Sequence, residues 1–249
     1  MRLKHAVTSV ASKQLKLPSL WFAMVLIAGC ASVEKTEAPP AAELELPTAL
    51  ADRQPSSLAR KFTIIPDESE VRILTFRDGP MARLGHNHVI SSRTLSGNVW
   101  LEPTLGNSLT DISLPVASFS VDDPALRSEE GEGFETPLPE SARSGTRENM
   151  LSDAVLNAAS FAFIRARCGD IRTEAPASIR CIFSVAGNTS TLDLPIELEL
   201  DETRLTASGE VAIGHEQLGL SAFSAGGGAI RVAEQITVRF KISAQQLSR

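Results

Sequence analysis

From Phe62 onward the chain alternates apolar and polar positions. Leu192, Leu194, Ile196, Leu198 and Leu200 are interleaved with Asp193, Pro195, Glu197 and Glu199. Successive side chains of a strand face opposite sides, so this row has one apolar and one polar face. Ile236, Val238, Phe240, Ile242 and Ala244 form a second inward row. Leu205, Ala207, Gly209, Val211 and Ile213 form a third, and Ile179, Cys181, Phe183 and Val185 a fourth. Less regular strands fit residues 71–76, 95–101, 109–119 and 161–168. Pro195 lacks an amide hydrogen and marks an edge or a bulge in its strand. The pattern predicts about eight strands in antiparallel sheet, joined mostly by short turns. Such chains limit their exposed edges by forming a sandwich or by closing into a barrel, and periodicity leaves both open.

Two segments break the alternation. Residues 122–156 begin with an acidic stretch that reads as an exposed loop and continue with A-R-S-G-T-R-E-N-M-L, which fits a short helix. Glu148 and Asn149 read there as solvated or capping groups rather than a catalytic pair. The second break, 219–228, carries three consecutive glycines before the last strand.

The N-terminus has a different grammar. Arg2, Lys4, Lys13 and Lys16 precede any acidic residue, an apolar run covers 17–28, and L-I-A-G-C closes it at residues 26–30. A basic segment, a short apolar segment and small residues before a cysteine read as a bacterial-type secretory signal. The run is too short for a comfortable membrane span. It resembles the lipobox of bacterial lipoproteins, which makes 1–29 a signal peptide and Cys30 the lipid anchor. The alternative is plain secretion with Cys30 incidental. Ala31 follows the cysteine where an Asp would redirect the chain, so the resemblance implies the periplasmic face of the outer membrane. Residues 30–61 hold Pro39, Pro40, Pro47 and Pro55 at no usable period and read as a Pro/Ala-rich tether expected to pack poorly on the body.

Charge narrows the partners. The chain has 24 basic and 30 acidic residues, a formal −6. Without residues 1–29, which contain four basic and no acidic residues, 20 basic face 30 acidic, a formal −10. Such a body has no electrostatic footprint for nucleic acid.

The candidate chemistry is sparse. His86 and His88, spaced by two, share a face if their segment is extended. Three readings stay open: a ligand contact, part of a metal site, or imidazoles pinning a loop through backbone hydrogen bonds. Arg83 is a candidate headgroup contact beside them, with a solvated flank as the alternative. A metal would need His215 or another ligand to converge through the fold. There is no G-x-S-x-G elbow, no H-E-x-x-H helix and no phosphate-cradling glycine loop, so no catalytic residue is assigned. Cys168 and Cys181 lie on inward rows of strands that would pair. An oxidising compartment would permit a disulfide between them, and two buried thiols are the alternative.

Five stretches carry a resemblance: L-G-H-N-H at 84–88, E-N-M-L at 148–151, F-A-F-I-R-A at 161–166, the strand–turn–strand unit at 179–199, and L-G-L-S-A-F-S with I-R-V-A-E-Q-I-T-V-R-F at 218–240. They resemble the YceI-like, polyisoprenoid-binding family of bacterial periplasmic proteins over 62–244. The chain departs from that pattern at Ala159–Ser160, where many members have tyrosine–proline, and in its long acidic loop. The resemblance implies a single closed antiparallel lipocalin-like barrel of about eight strands, in which the first and last strands pair. It also implies a carrier of an isoprenoid-type lipid or quinone in the cell envelope, not an enzyme. Composition alone leaves a filled interior and an open one equal, since Ala162, Ala166, Ala207 and Gly209 sit on inward rows among Leu, Ile and Phe. A ligand-free structural or envelope-stress protein and a histidine–metal enzyme are the competing readings.

Overall fold

A computed structural model describes residues 50–246. The signal peptide, Cys30 and most of the tether lie outside the described residues. The strands are β1 Arg60–Ile64, β2 Glu70–Thr75, β3 Arg77–Asp78, β4 His88–Ser92, β5 Ser96–Leu101, β6 Leu109–Pro115, β7 Ser120–Val121 and β8 Phe163–Arg172. They continue as β9 Ser178–Val185, β10 Asn188–Pro195, β11 Glu197–Leu200, β12 Arg204–Gly214, β13 Ser224–Ala225, β14 Ile230–Val232 and β15 Gln235–Gln246. Two helices interrupt them, α1 Pro124–Glu129 and α2 Glu140–Leu151.

The longest strand, β15, organises the main sheet. One edge pairs with β12 from Gln235 to Gln245. The other pairs end to end with β2 and then β1, so the first and last strands do pair. Between those two partners Pro66 starts a 3-10 turn, because it has no amide hydrogen to continue the ladder. Buried Ser69 fills the gap. Its Oγ accepts from the Ser243 amide at 3.0 Å and donates to the Ile65 carbonyl at 2.8 Å.

The expected closed eight-strand barrel is not formed. The strands make two separate sheets, of twelve and of three, and neither closes on itself. The hydrogen-bonded path of the large sheet runs β10-β9-β8-β6-β5-β1-β15-β2-β4-β7, with β12 and β11 branching from β15. The physical reason for one open end lies at Pro195. There the chain changes partner: residues up to Pro195 pair with β9, and those from Glu197 pair with β12. The end of β10 packs against β12 so closely that a Cβ on Gly209 would lie 2.3 Å from the Pro195 carbonyl oxygen, and only glycine permits this approach. At the other end of the path, β7 is two residues long and is followed at once by Asp122 and α1. The small sheet, β13-β14-β3, resumes the β15–β2 ladder in a shifted register beyond Ala233, whose amide donates to the Phe76 carbonyl at 2.7 Å.

The inward rows read from the alternation line the interior, together with Phe62, Ile64, Leu114 and Val116, except at Leu200, which is exposed where its row ends. α2 forms where a helix was expected and contributes Met150 to the core, while Glu148 and Asn149 are exposed. The acidic stretch before it is the expected loop only in part: 131–139 is irregular and exposed apart from Phe134 and Leu138, whereas 124–129 forms α1. Asp123 caps α1 by accepting from the Ala125 and Leu126 amides, and Pro124 sits at the first helical position. Arg72 then holds Glu129 and Glu130, and Arg239 bridges Glu130 to Glu210, which fixes α1 to the outer face of β2, β15 and β12. Residues 50–59 also depart from the tether reading. Leu50 is buried against Gly169, Arg167 donates to the Leu50 carbonyl at 2.9 Å, and Ser56 donates twice to Glu102.

Cys168 and Cys181 face each other across β8 and β9, with alpha carbons 4.0 Å apart and the sulfurs bonded. The disulfide expected from strand parity is therefore present. Replacing both cysteines by alanine is expected to lower the unfolding free energy by about 2–3 kcal/mol, as for other loops of this size. A fall in the urea midpoint checks this, and non-reducing peptide mapping should recover one linked fragment holding both residues.

Candidate functional site: an apolar cavity with a histidine-bearing end

The inward rows enclose a cavity of about 420 Å³. Its wall is overwhelmingly apolar: Val71, Ile73 and Ile90 on one flank, Ile112, Ala166 and Phe183 on another, and Ala207, Val211, Val238 and Phe240 on a third. Small residues leave the space. Ala166 and Ala207 are small residues on this wall, whereas the space over Gly209 is taken by the Pro195 carbonyl and the Phe240 ring. Phe119, Met150, Val155 and Leu156 add to the wall from α2 and its neighbours.

Polar positions are few and mostly gather at one end. Thr75, Arg77, His86, His88, His215 and Arg231 all line the cavity. The register explains why they meet. His88 pairs with Thr75 at the end of β2, and Gly214 at the end of β12 pairs with Gln235 at the start of β15. Arg77 and Arg231 come from β3 and β14 of the small sheet, which extends that same end. Thr110 pairs with Val99 on β5 and with Cys168 on β8, so it and the disulfide stand on the β5–β6–β8–β9 flank. Ser108, and Thr146 and Asn149 of α2, complete the polar contacts.

The histidines are held by a buried charge cluster. Asp122 is fully buried and sits at φ 55°, a left-handed conformation that Asp tolerates better than most residues. Its amide donates to the Val89 carbonyl at 2.7 Å, and its Oδ1 accepts from the Val89 amide at 3.0 Å. Its Oδ2 accepts from His88 Nδ1 at 2.7 Å, and its Oδ1 also accepts from Arg127 Nη1 at 2.6 Å. Arg127, only 4% exposed, donates in addition to the Asn87 and Thr136 carbonyls and lies over the Phe134 ring. Burial alone would raise the Asp122 pKa, but the bonds from His88, Val89 and Arg127 outweigh it and hold the carboxyl below its usual range.

His86 lies just before the strand, with its ring centroid 6.4 Å from that of His88. Burial first, and then its neighbours His88, Arg127 and Arg77, push its pKa below the usual imidazole value. The structure thus brings His86 and His88 to one cavity wall, although only His88 is in a strand. Arg83 lies on the 82–84 turn, exposed and outside the cavity wall. His215, considered in the sequence only as a third metal ligand, lines the same cavity, and its Nδ1 lies 2.8 Å from the Glu234 carbonyl. Among the described residues no three His, Cys, Asp or Glu side chains come together in a way that could hold a metal ion. Sequence reasoning missed Asp122 and Arg127. The one local signal was the D-D-P start of α1, a cap followed by proline.

No family model matches the chain, and no curated protein matches it. Among solved structures it is similar to Burkholderia cenocepacia BcnA, with 11% identity and a TM-score of 0.51, over 73% of this chain and 99% of that one. A polyisoprenoid binding domain from Saccharophagus degradans, implicated in plant cell wall breakdown, aligns at 9% identity and a TM-score of 0.49, over 75% and 98% of the two chains. A Campylobacter jejuni YceI protein aligns at 10% identity and 0.43, over 62% and 82%. At such identities the likeness to BcnA is one of fold.

Replacing Asp122 by Ala would strand the Arg127 charge in the interior and is expected to cost about 3–5 kcal/mol of stability. The pH dependence has a definite sign. An unfolded Asp titrates near about 3.9, while the native Asp122 stays ionised to lower pH. Its contribution is therefore complete above that range and is lost as pH falls through the native value. Urea unfolding followed against pH should show this acid limb in the native chain and a weaker one in Asp122→Asn.

Proposed function

We propose that this chain is a YceI-like carrier that binds an isoprenoid-type lipid or quinone in the cell envelope, acting as a binding protein rather than a catalyst. The observation that carries this reading is the cavity. Its volume of about 420 Å³ lies in the range of small-molecule sites, and an almost wholly apolar wall with a few polar groups at one end suits a ligand with a hydrocarbon tail and a compact head. The motifs at 84–88 and 179–199 and the BcnA-like fold support the same reading. We read His86 and His88 as the residues that meet the head; Arg83 is exposed and does not line the cavity. A ligand-free structural protein would be expected to fill its interior, and the cavity weighs against it.

Location follows from two independent features. Residues 17–30 carry the signal and lipobox pattern, and the disulfide suits an oxidising compartment. The reading is a lipoprotein held through acylated Cys30 at the periplasmic face of the outer membrane. No helix among the described residues is long and apolar enough to cross a membrane.

Solvent extraction of the purified mature protein, followed by mass spectrometry, should recover a polyprenyl lipid or a prenylated quinone. Repeated recovery of none would overturn the carrier reading. Ala207→Trp, which fills the middle of the cavity, should lower the bound lipid roughly tenfold while the chain still folds. Cys30→Ser should move the protein from the membrane fraction to the soluble one.

A further inference from the structure

All three histidines between residues 50 and 246 line one cavity, and two of them have one ring nitrogen fixed by the protein. His88 Nδ1 faces Asp122 Oδ2 at 2.7 Å, and the ionised carboxylate can only accept, so Nδ1 carries the proton. His215 Nδ1 faces the Glu234 carbonyl at 2.8 Å, which also can only accept, so the same tautomer is set there. In a neutral imidazole with a protonated Nδ1, Nε2 is a lone-pair acceptor. Neither Nε2 has a hydrogen-bond partner among the described residues. His215 is only 7% exposed, so what its free edge meets is chiefly the cavity.

The two rings stand on different strands. β4, β2, β15 and β12 are successive neighbours, which separates their backbones by three strand spacings, about 14 Å. They therefore flank the polar end of the cavity from two sides. The basic residues of that end are partly engaged. Arg231 donates to Asp78 at 2.7 Å, and Arg77 donates to the Gly85 carbonyl at 3.2 Å.

We infer that this end of the cavity selects a ligand whose head donates hydrogen bonds, an alcohol or a diol, through the Nε2 acceptors of His88 and His215. It discriminates against heads that only accept, such as ethers and oxidised quinones, and against phosphate, and so narrows the ligand to the isoprenoid alcohols. The inference rests on the carrier reading above and adds the chemistry of the head and the role of His215. Arg77 pairs with no carboxylate among the described residues and would favour the opposite choice, an anionic head, so the test sets the two against each other.

The probes share one tail: farnesol, farnesyl methyl ether and farnesyl phosphate. Each is titrated calorimetrically into the delipidated mature chain at about pH 8.5, roughly two units above the ordinary value of a free imidazole. Farnesol is expected to bind roughly tenfold tighter than its methyl ether, the scale of one or two hydrogen bonds. A farnesol hydroxyl has one proton to give and bonds one Nε2 at a time, so His215→Leu and His88→Asn, which keeps a donor toward Asp122 but loses the ring acceptor, should each reduce that difference, and the double variant should remove it. Equal affinity for alcohol and ether, tightest binding of the phosphate, or an alcohol preference that survives both substitutions would overturn the inference while leaving the carrier reading standing. Binding of none of the three would overturn both.

Discussion

One buried carboxylate holds the functional end of this protein together. Asp122 exchanges backbone and side-chain bonds with Val89, so it continues the β4–β7 pairing one residue past the end of β7. The same carboxylate fixes His88 from the strand side and Arg127 from the helix side. Burying a carboxylate is costly unless every lone pair is answered, and here a guanidinium, an imidazole and an amide answer it. The direction in which His88 faces, the docking of α1, and the path of the 84–88 segment all follow from that requirement.

The cavity depends on a different constraint, the way the sheet fails to close. A ladder that paired uniformly around the interior would bring the inward rows to even distances. Instead the strand containing Pro195 changes partners midway, and its end crowds against Gly209. On the opposite flank β2 and β15 continue past Phe76 into the small sheet. The apolar rows thus surround a space longer than a single layer of side chains would fill, and its polar end is shared between the two sheets.

Much of the fold was legible because its signals are local. Alternation in 192–200, 205–213 and 236–244 placed the inward rows, and strand parity put Cys168 opposite Cys181. Closure was not legible, because it turns on which edge each residue of 188–200 chooses, and a period of two is silent about partners. Asp122, Arg127 and Glu130 were hidden for a related reason. Acidic and basic residues in a row read as solvated, and their burial becomes affordable only through groups more than thirty positions away, such as His88 and Asn87. His86 and His88 stood out by spacing. His215 did not, because the bond that sets its tautomer goes to a backbone carbonyl, which leaves no trace in side-chain identity.

The distribution of rings also determines how this protein can be watched. It has no tyrosine, and Trp100 is the only indole among the described residues. Trp100 alternates with the cavity-lining Val99 and Leu101 and pairs across β1 with Lys61, whose ammonium lies 5.9 Å from its ring, so the indole looks outward. Its emission reports on the outer surface of β5 and on unfolding, and is poorly placed to sense what fills the interior. The imidazoles are the reverse case. Every histidine from 50 to 246 borders the cavity. Their ring proton resonances are therefore a built-in, label-free reporter of occupancy, with His215 marking one flank of the polar end and His88 the other.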